Sequence, residues 1–281
     1  MLKIATNIFS CNIATIKISP KIKIMLSVKS TLAFVLNTKT LIVTALSVLA
    51  TYLCLQYKIT AKFPDLLIGM AIVFPVVFSI GSAFSRREFA LQRLSDFKGH
   101  LFALYYAAKD WPAGKEPGSL PAEVKEEIRC IMTHLRKMLR DKNNWYANEK
   151  QMYVHFGNLS LMIARMRDLN VQSGEISRVN QYISKVIIAF DTLRGIYLYR
   201  TPRSLRFFSK IFILSFPVLY APYFASISSD YSPALRFVMP VLYSFILISL
   251  HNIQENLEHP FDQVGDDDII INVDEEVGVL P

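Results

Sequence analysis

The chain has 281 residues, 52% of them hydrophobic and 12% aromatic, with a mean hydropathy of +0.30 and a formal net charge of +8. These values exceed soluble averages and point to the bilayer. The basic balance does not indicate nucleic acid, because residues 1–84 contain no Arg and no aromatic-interleaved RNA motif or zinc spacing occurs; it reads instead as positive-inside topology.

Residues 1–38 form a basic arm in which no acid precedes Asp65. The stretch is similar in part to an organelle transit peptide, but it lacks the arginines of one. Two readings stand: a targeting extension, with Met25 offering a second start, or an arm whose lysines sit against anionic headgroups. Four uncharged runs follow, between Lys39 and Lys58, Asp65 and Arg86, Lys210 and Asp230, and Arg236 and Glu255. Each matches the roughly 20 residues that a helix needs to cross about 30 Å of hydrocarbon. The links "KITAKFPD" and "DYSPALR" are short, so the runs pair into two antiparallel hairpins, at 39–84 and 208–254.

Between the hairpins, residues 85–207 read as helices. "RREFALQRLSDFKGHLFALYYAAKDW" keeps Phe89, Leu94, Phe97, Leu101 and Leu104 at helical spacing and continues the second span as one long helix. "PAGKEPGSLPAE" breaks it, and three amphipathic segments follow. Residues 85–210 carry 22 Lys and Arg against 12 acids, and the stretch from His251 to the end carries nine acids with no Lys or Arg. The positive-inside rule then puts the centre and both termini in the cytoplasm. The expected fold is an all-α membrane protein with two transmembrane hairpins flanking a helical cytosolic stalk and an acidic tail at 255–281. The host membrane stays open among plasma, bacterial inner and organelle membranes.

Enzymatic motifs are absent: no GxGxxG, P-loop, HExxH or GxSxG occurs, so an enzyme is not expected. Cys11, Cys54 and Cys130 form no framework and read as thiols. The histidines, at 100, 134, 155, 251 and 259, read as helix-face or tail residues. His134 and Cys130 lie four apart on one face, which is two metal ligands without a third.

The second span is more informative. Phe74, Phe78 and Ser82 follow one another at i+4, Pro75 frees a backbone carbonyl one turn earlier, and Arg86 and Arg87 lie beyond. One reading is ordinary packing with snorkelling arginines. The other is a pore wall, in which the positive edges of phenyl rings form a poorly hydrated throat that tolerates anions.

Two spans, a helical insert, two spans and an acidic tail, with "NLEHPFDQVGDDDI", "YRTPRSLRFFSKIFILSFPVLYAPYF" and "FPVVFSIGSAFSRREFALQRL" in that architecture, resemble the bestrophin family of anion channels over residues 30–275. The likeness is nearer to bacterial and plant-type members than to animal ones. It implies a homopentamer with an axial pore, a neck at Phe74, Pro75, Phe78 and Ser82, and a basic vestibule at Arg86, Arg87 and Arg93. Ser82 departs from the bulky apolar residue of animal members. The resemblance also implies a calcium clasp in animal members, matched here by the carbonyls of Asn256 and His259 and the carboxylates of Asp266 and Asp268. The loop is one residue longer than theirs, so no cofactor is required and calcium stays open. The acidic run therefore has two readings, a calcium-binding element or an electrostatic tie to the basic body.

The expected function is passive transport of chloride or similar monovalent anions. The alternative is a non-conducting scaffold that binds partners or anionic lipid through its basic helices.

Overall fold

The computed structural model describes residues 37–61, 65–112, 116–141, 143–199, 202–227, 234–263 and 268–281, and leaves the side chains of 65–73, 75, 203 and 205 outside that description. Residues 1–36 of the basic arm, Cys11 among them, and Asp266 lie outside the described residues. Among those described, the regular structure is helical: α1 (Thr38–Gln56), α2 (Asp65–Asp110), α3 (Leu120–Arg140), α4 (Trp145–Met166), α5 (Ser173–Leu198), α6 (Arg203–Leu219), α7 (Ala221–Ser226), α8 (Leu235–Leu257) and α9 (Val273–Gly278).

The 46 residues of α2 form one uninterrupted helix, about 69 Å long at 1.5 Å per residue. It begins in the second uncharged run and passes through Arg86 and Arg87 into the amphipathic segment, as its continuous 3.6-residue pattern dictates. Its two halves enter different surroundings. The second half packs with α3, α4 and α5 into a helical body, and the first half packs with α6 and α8 in an apolar bundle.

Within the body, each helix buries one stripe. In α3, Val124, Ile128, Ile131, Leu135 and Met138 recur at three and four residues and are at most 4% exposed. Ser119 precedes the helix, its Oγ donates to Glu123 at 2.6 Å, and Glu123 also lies 2.5 Å from Arg165 of α4. Lys137 and Arg140 occupy the last turn, where cations complement the helix dipole. Phe156 of α4 and Phe190 of α5 meet edge to face with centroids 5.4 Å apart, and Tyr153 joins them. This geometry favours the ring quadrupoles beyond simple burial.

The acidic tail belongs to the same core. The helix of the fourth run, α8, ends at Leu257, two residues before the His259–Pro260 bond, where a proline disfavours helix in the residue before it. Phe261, Ile269, Ile271, Val273, Val277 and Leu280 are then buried in the body. The Tyr105 hydroxyl donates to the Pro281 carbonyl, Lys125 Nζ donates to that of Leu280, and Lys98 lies 3.2 Å from Glu276. The tail is thus held by apolar insertion together with ion pairs: alternating aliphatic residues are buried, Glu276 pairs with Lys98, and Asp274 and Glu275 stay outside.

The bundle is built the other way round. Three described helical segments are long and apolar enough to cross a membrane: Thr38–Gln56, Arg206–Ser226 and Leu235–Leu257. Leu41, Leu46, Leu49 and Tyr52 of α1 point outward at 49% exposure or more, whereas Thr40, Ser47 and Thr51 are buried. The third run is not one straight helix. It carries Pro217 and breaks at Tyr220 before α7. The break is served from α1: Ser47 Oγ donates to the Pro217 carbonyl at 2.7 Å, as a backbone acceptor in hydrocarbon requires. Along this segment Phe208, Phe212, Phe216, Tyr220 and Phe224 stack at 4.8 to 6.0 Å.

Candidate functional site

The first half of α2 presents a divided surface. Val76 and Ser79 are 4% and 5% exposed against the bundle, whereas Phe74, Val77 and Phe78 are 55%, 59% and 70% exposed. The rings of Phe74 and Phe78 stack at 6.0 Å with an interplanar angle of 17°, as i and i+4 side chains on one face must. Ser82 continues this face and is exposed; Pro75 lies inside the helix, with its side chain outside the described set. An apolar stripe, unpartnered in a single chain, thus runs into a small polar one at Gly81, Ser82 and Ser85.

Arg86, Arg87 and Arg93, expected at a vestibule, are each engaged within the chain. Arg86 donates to the carbonyls of Ile196 and Tyr199, the latter at 2.8 Å, and so holds the C-terminal end of α5. Arg87 lies 2.6 Å from Glu88. Arg93 lies 3.2 Å from Asp96 and covers the Phe89 ring at 4.9 Å. Sequence spacing places these arginines below the phenylalanines and offers Glu88 and Asp96 as near neighbours, but it does not show the partners of Arg86, which lie 110 residues or more away.

Of the clasp positions, the Asn256 carbonyl accepts the N–H groups of Glu258 and His259 as an ordinary helix terminus. Asp268 is half-buried next to Ile269, whose N–H donates to the Pro260 carbonyl at 2.7 Å. Among the described residues no three His, Cys, Asp or Glu side chains converge as a metal site. A cavity of about 240 Å³ opens between Arg86, Arg140, Trp145, Glu258, Phe261 and Asp262.

The histidines divide. His134 pairs with Asn148 at 3.2 Å and packs on the ring of His155 at 5.2 Å, and His155 Nδ1 lies 2.6 Å from Glu127. Burial holds the His134 imidazole below its ordinary value, offset by the Asn148 contact and reinforced by His155 and Lys137. Cys54 and Cys130 are thiols, as expected. His251, expected on a helix face, lies on the inward face of α8, with its side chain 4% exposed. Its position four residues before Glu255 was visible in the sequence, but its burial depends on α1 and α6.

No protein-family profile matches the chain, and no curated protein matches it. Solved structures do. A crystal structure described as a membrane protein superposes with a TM-score of 0.71 at 15% identity, covering 86% of this chain and 98% of that one. Two variants of a bacterial bestrophin homologue from Klebsiella pneumoniae superpose with TM-scores of 0.70 and 0.69 at 15% and 16% identity, covering 87% and 85% of this chain and 97% and 94% of theirs. The chain therefore has a bestrophin-like fold.

Proposed function

We propose that the chain is one subunit of a homopentameric channel that passes chloride or similar monovalent anions. Four spans cross the bilayer: α1, the first half of α2, α6 with α7, and α8. The observation that carries the reading is the stripe of Phe74, Val77 and Phe78, exposed on a helix whose opposite face is buried. Five such stripes around an axis make a phenyl-lined neck that an ion passes only by shedding water. Arg87 and Arg93 are locally neutralised by Glu88 and Asp96. Anion enrichment at the mouth therefore rests on the excess of ten positive charges over residues 85–210.

Flux from liposomes holding the purified protein tests this, with gluconate and a monovalent cation as controls and free calcium varied. Chloride efflux above both controls is expected, and Phe78→Ala raises it several-fold by widening the neck. A folded protein without ion flux overturns the channel, and unchanged flux in an active Phe78→Ala protein overturns the neck. A calcium response assigns Asp266 and Asp268 to a clasp; its absence leaves them as part of the tail.

The scaffold reading draws on the body next to the Arg86 cavity, where Arg136, Lys137 and Arg140 line one open surface with Asn144 and Asn148. A crosslinked mass of five subunits favours the channel, and a monomer or dimer favours the scaffold.

A further inference from the structure

His251 stands near the end of α8 with its side chain 4% exposed and, among the described residues, no hydrogen-bond partner at either ring nitrogen. Buried polar groups are seldom left in this state, and each such group asks for an explanation. Its Nε2 lies 3.6 Å from Glu255 Oε1, too far for a hydrogen bond and near enough for an ion pair once the ring is charged. The same carboxylate is already shared. Lys39 of α1 lies 3.1 Å from it and Lys210 of α6 lies 3.8 Å from it. One turn on, Glu258 accepts from Gln254 at 3.1 Å and lies 3.8 Å from Arg206 of α6.

Three helices of the bundle are thus tied at one carboxylate. The charged groups around His251 are Glu255 on its own helix, Glu258 just past its end, Lys39 from α1, and Lys210 and Arg206 from α6. From α2, Arg86 lines the same cavity as Glu258. The sequence of α7, APYFAS, brings only the phenol of Tyr223.

We propose that His251 is a proton-operated release for this strap. A proton taken from water converts the contact with Glu255 into an ion pair, and the new cation then competes with Lys39 and Lys210 for one carboxylate. Lys39 and Lys210 are 44% and 47% exposed and both yield, because their ammonium groups can return to water. The first turns of α1 then loosen from α8. The inference rests on side-chain geometry alone and is independent of ion conduction.

Hydrogen exchange of the full chain in lipid nanodiscs at pH 7.5 and 5.5, corrected for intrinsic rates, tests it at residues 41–46. Protection of this segment falls about five-fold on acidification in the wild type, and His251→Gln removes the step. Lys39→Met, at a half-exposed position, removes it too, and decides the matter if His251→Gln does not fold. A wild type without the step, or a step that persists in either folded variant, overturns the proposal.

Discussion

In the helical body Phe97, Ile128, Leu135, Phe190 and Val277 are fully buried, whereas in the bundle Leu41, Leu46 and Leu49 turn about half or more of their surface outward. The polar residues invert the pattern, with Thr40, Ser47, Thr51, Ser244 and His251 inside the bundle. The same apolar residue types serve both regions, and the surroundings decide which way they face. In water the apolar stripe drives helices together. In hydrocarbon it gains nothing by leaving the solvent, and packing with polar contacts holds helices instead.

Removing the largest side chain from each type of position gives the widest separation. Phe190→Ala leaves a cavity against Phe156 and Tyr153 and costs about 3–5 kcal/mol. Leu46→Ala, on the outward face of α1, changes stability by about 0.5 kcal/mol or less. Denaturant unfolding in micelles reads both, with Trp111 and Trp145 packed against the body core as reporters. Equal losses would erase the contrast between the two regions.

Ser47→Ala sharpens it from the polar side. The variant takes the donor from the Pro217 carbonyl and costs about 0.6–1.5 kcal/mol in the same measurement, with Ser47→Thr keeping most of the stability. A neutral Ser47→Ala would mean that the break after Pro217 is satisfied without α1.

The smallest effect is a pH step in the body. The folded chain holds His134 neutral to lower pH than the unfolded chain does, chiefly through burial. The unfolded state therefore binds more protons below the ordinary histidine value of about 6.5. Stability is full above that value and falls as pH drops from it toward the lowered folded value. Unfolding at pH 7.5 and 5.5 shows the loss, and His134→Gln reduces it without abolishing it, because burial also lowers His100.

Much of the architecture was legible along the chain. The four uncharged runs, the long helix through Arg86, the break at "PAGKEPGSLPAE" and the stripes of α3 to α5 follow from hydropathy and helical period, which are local properties. The place of Phe261 against the body also follows, since an aromatic after a helix-stopping proline needs cover. The site was legible in its spacing and not in its partners. Phe74 and Phe78 share a face by arithmetic, but the carbonyls that capture Arg86 come from α5, and no local pattern announces them.

The sequence by itself determined the number of apolar runs, the helical class and the segregation of positive body from negative tail, because each depends on residue type and interval alone. Tertiary structure decided the rest. It set the tail into the core by its aliphatic residues as well as by the Lys98–Glu276 pair, and gave the three arginines their partners. It also buried His251 beside Glu255, Lys39 and Lys210, because distances between residues far apart in the chain exist only once the helices have packed.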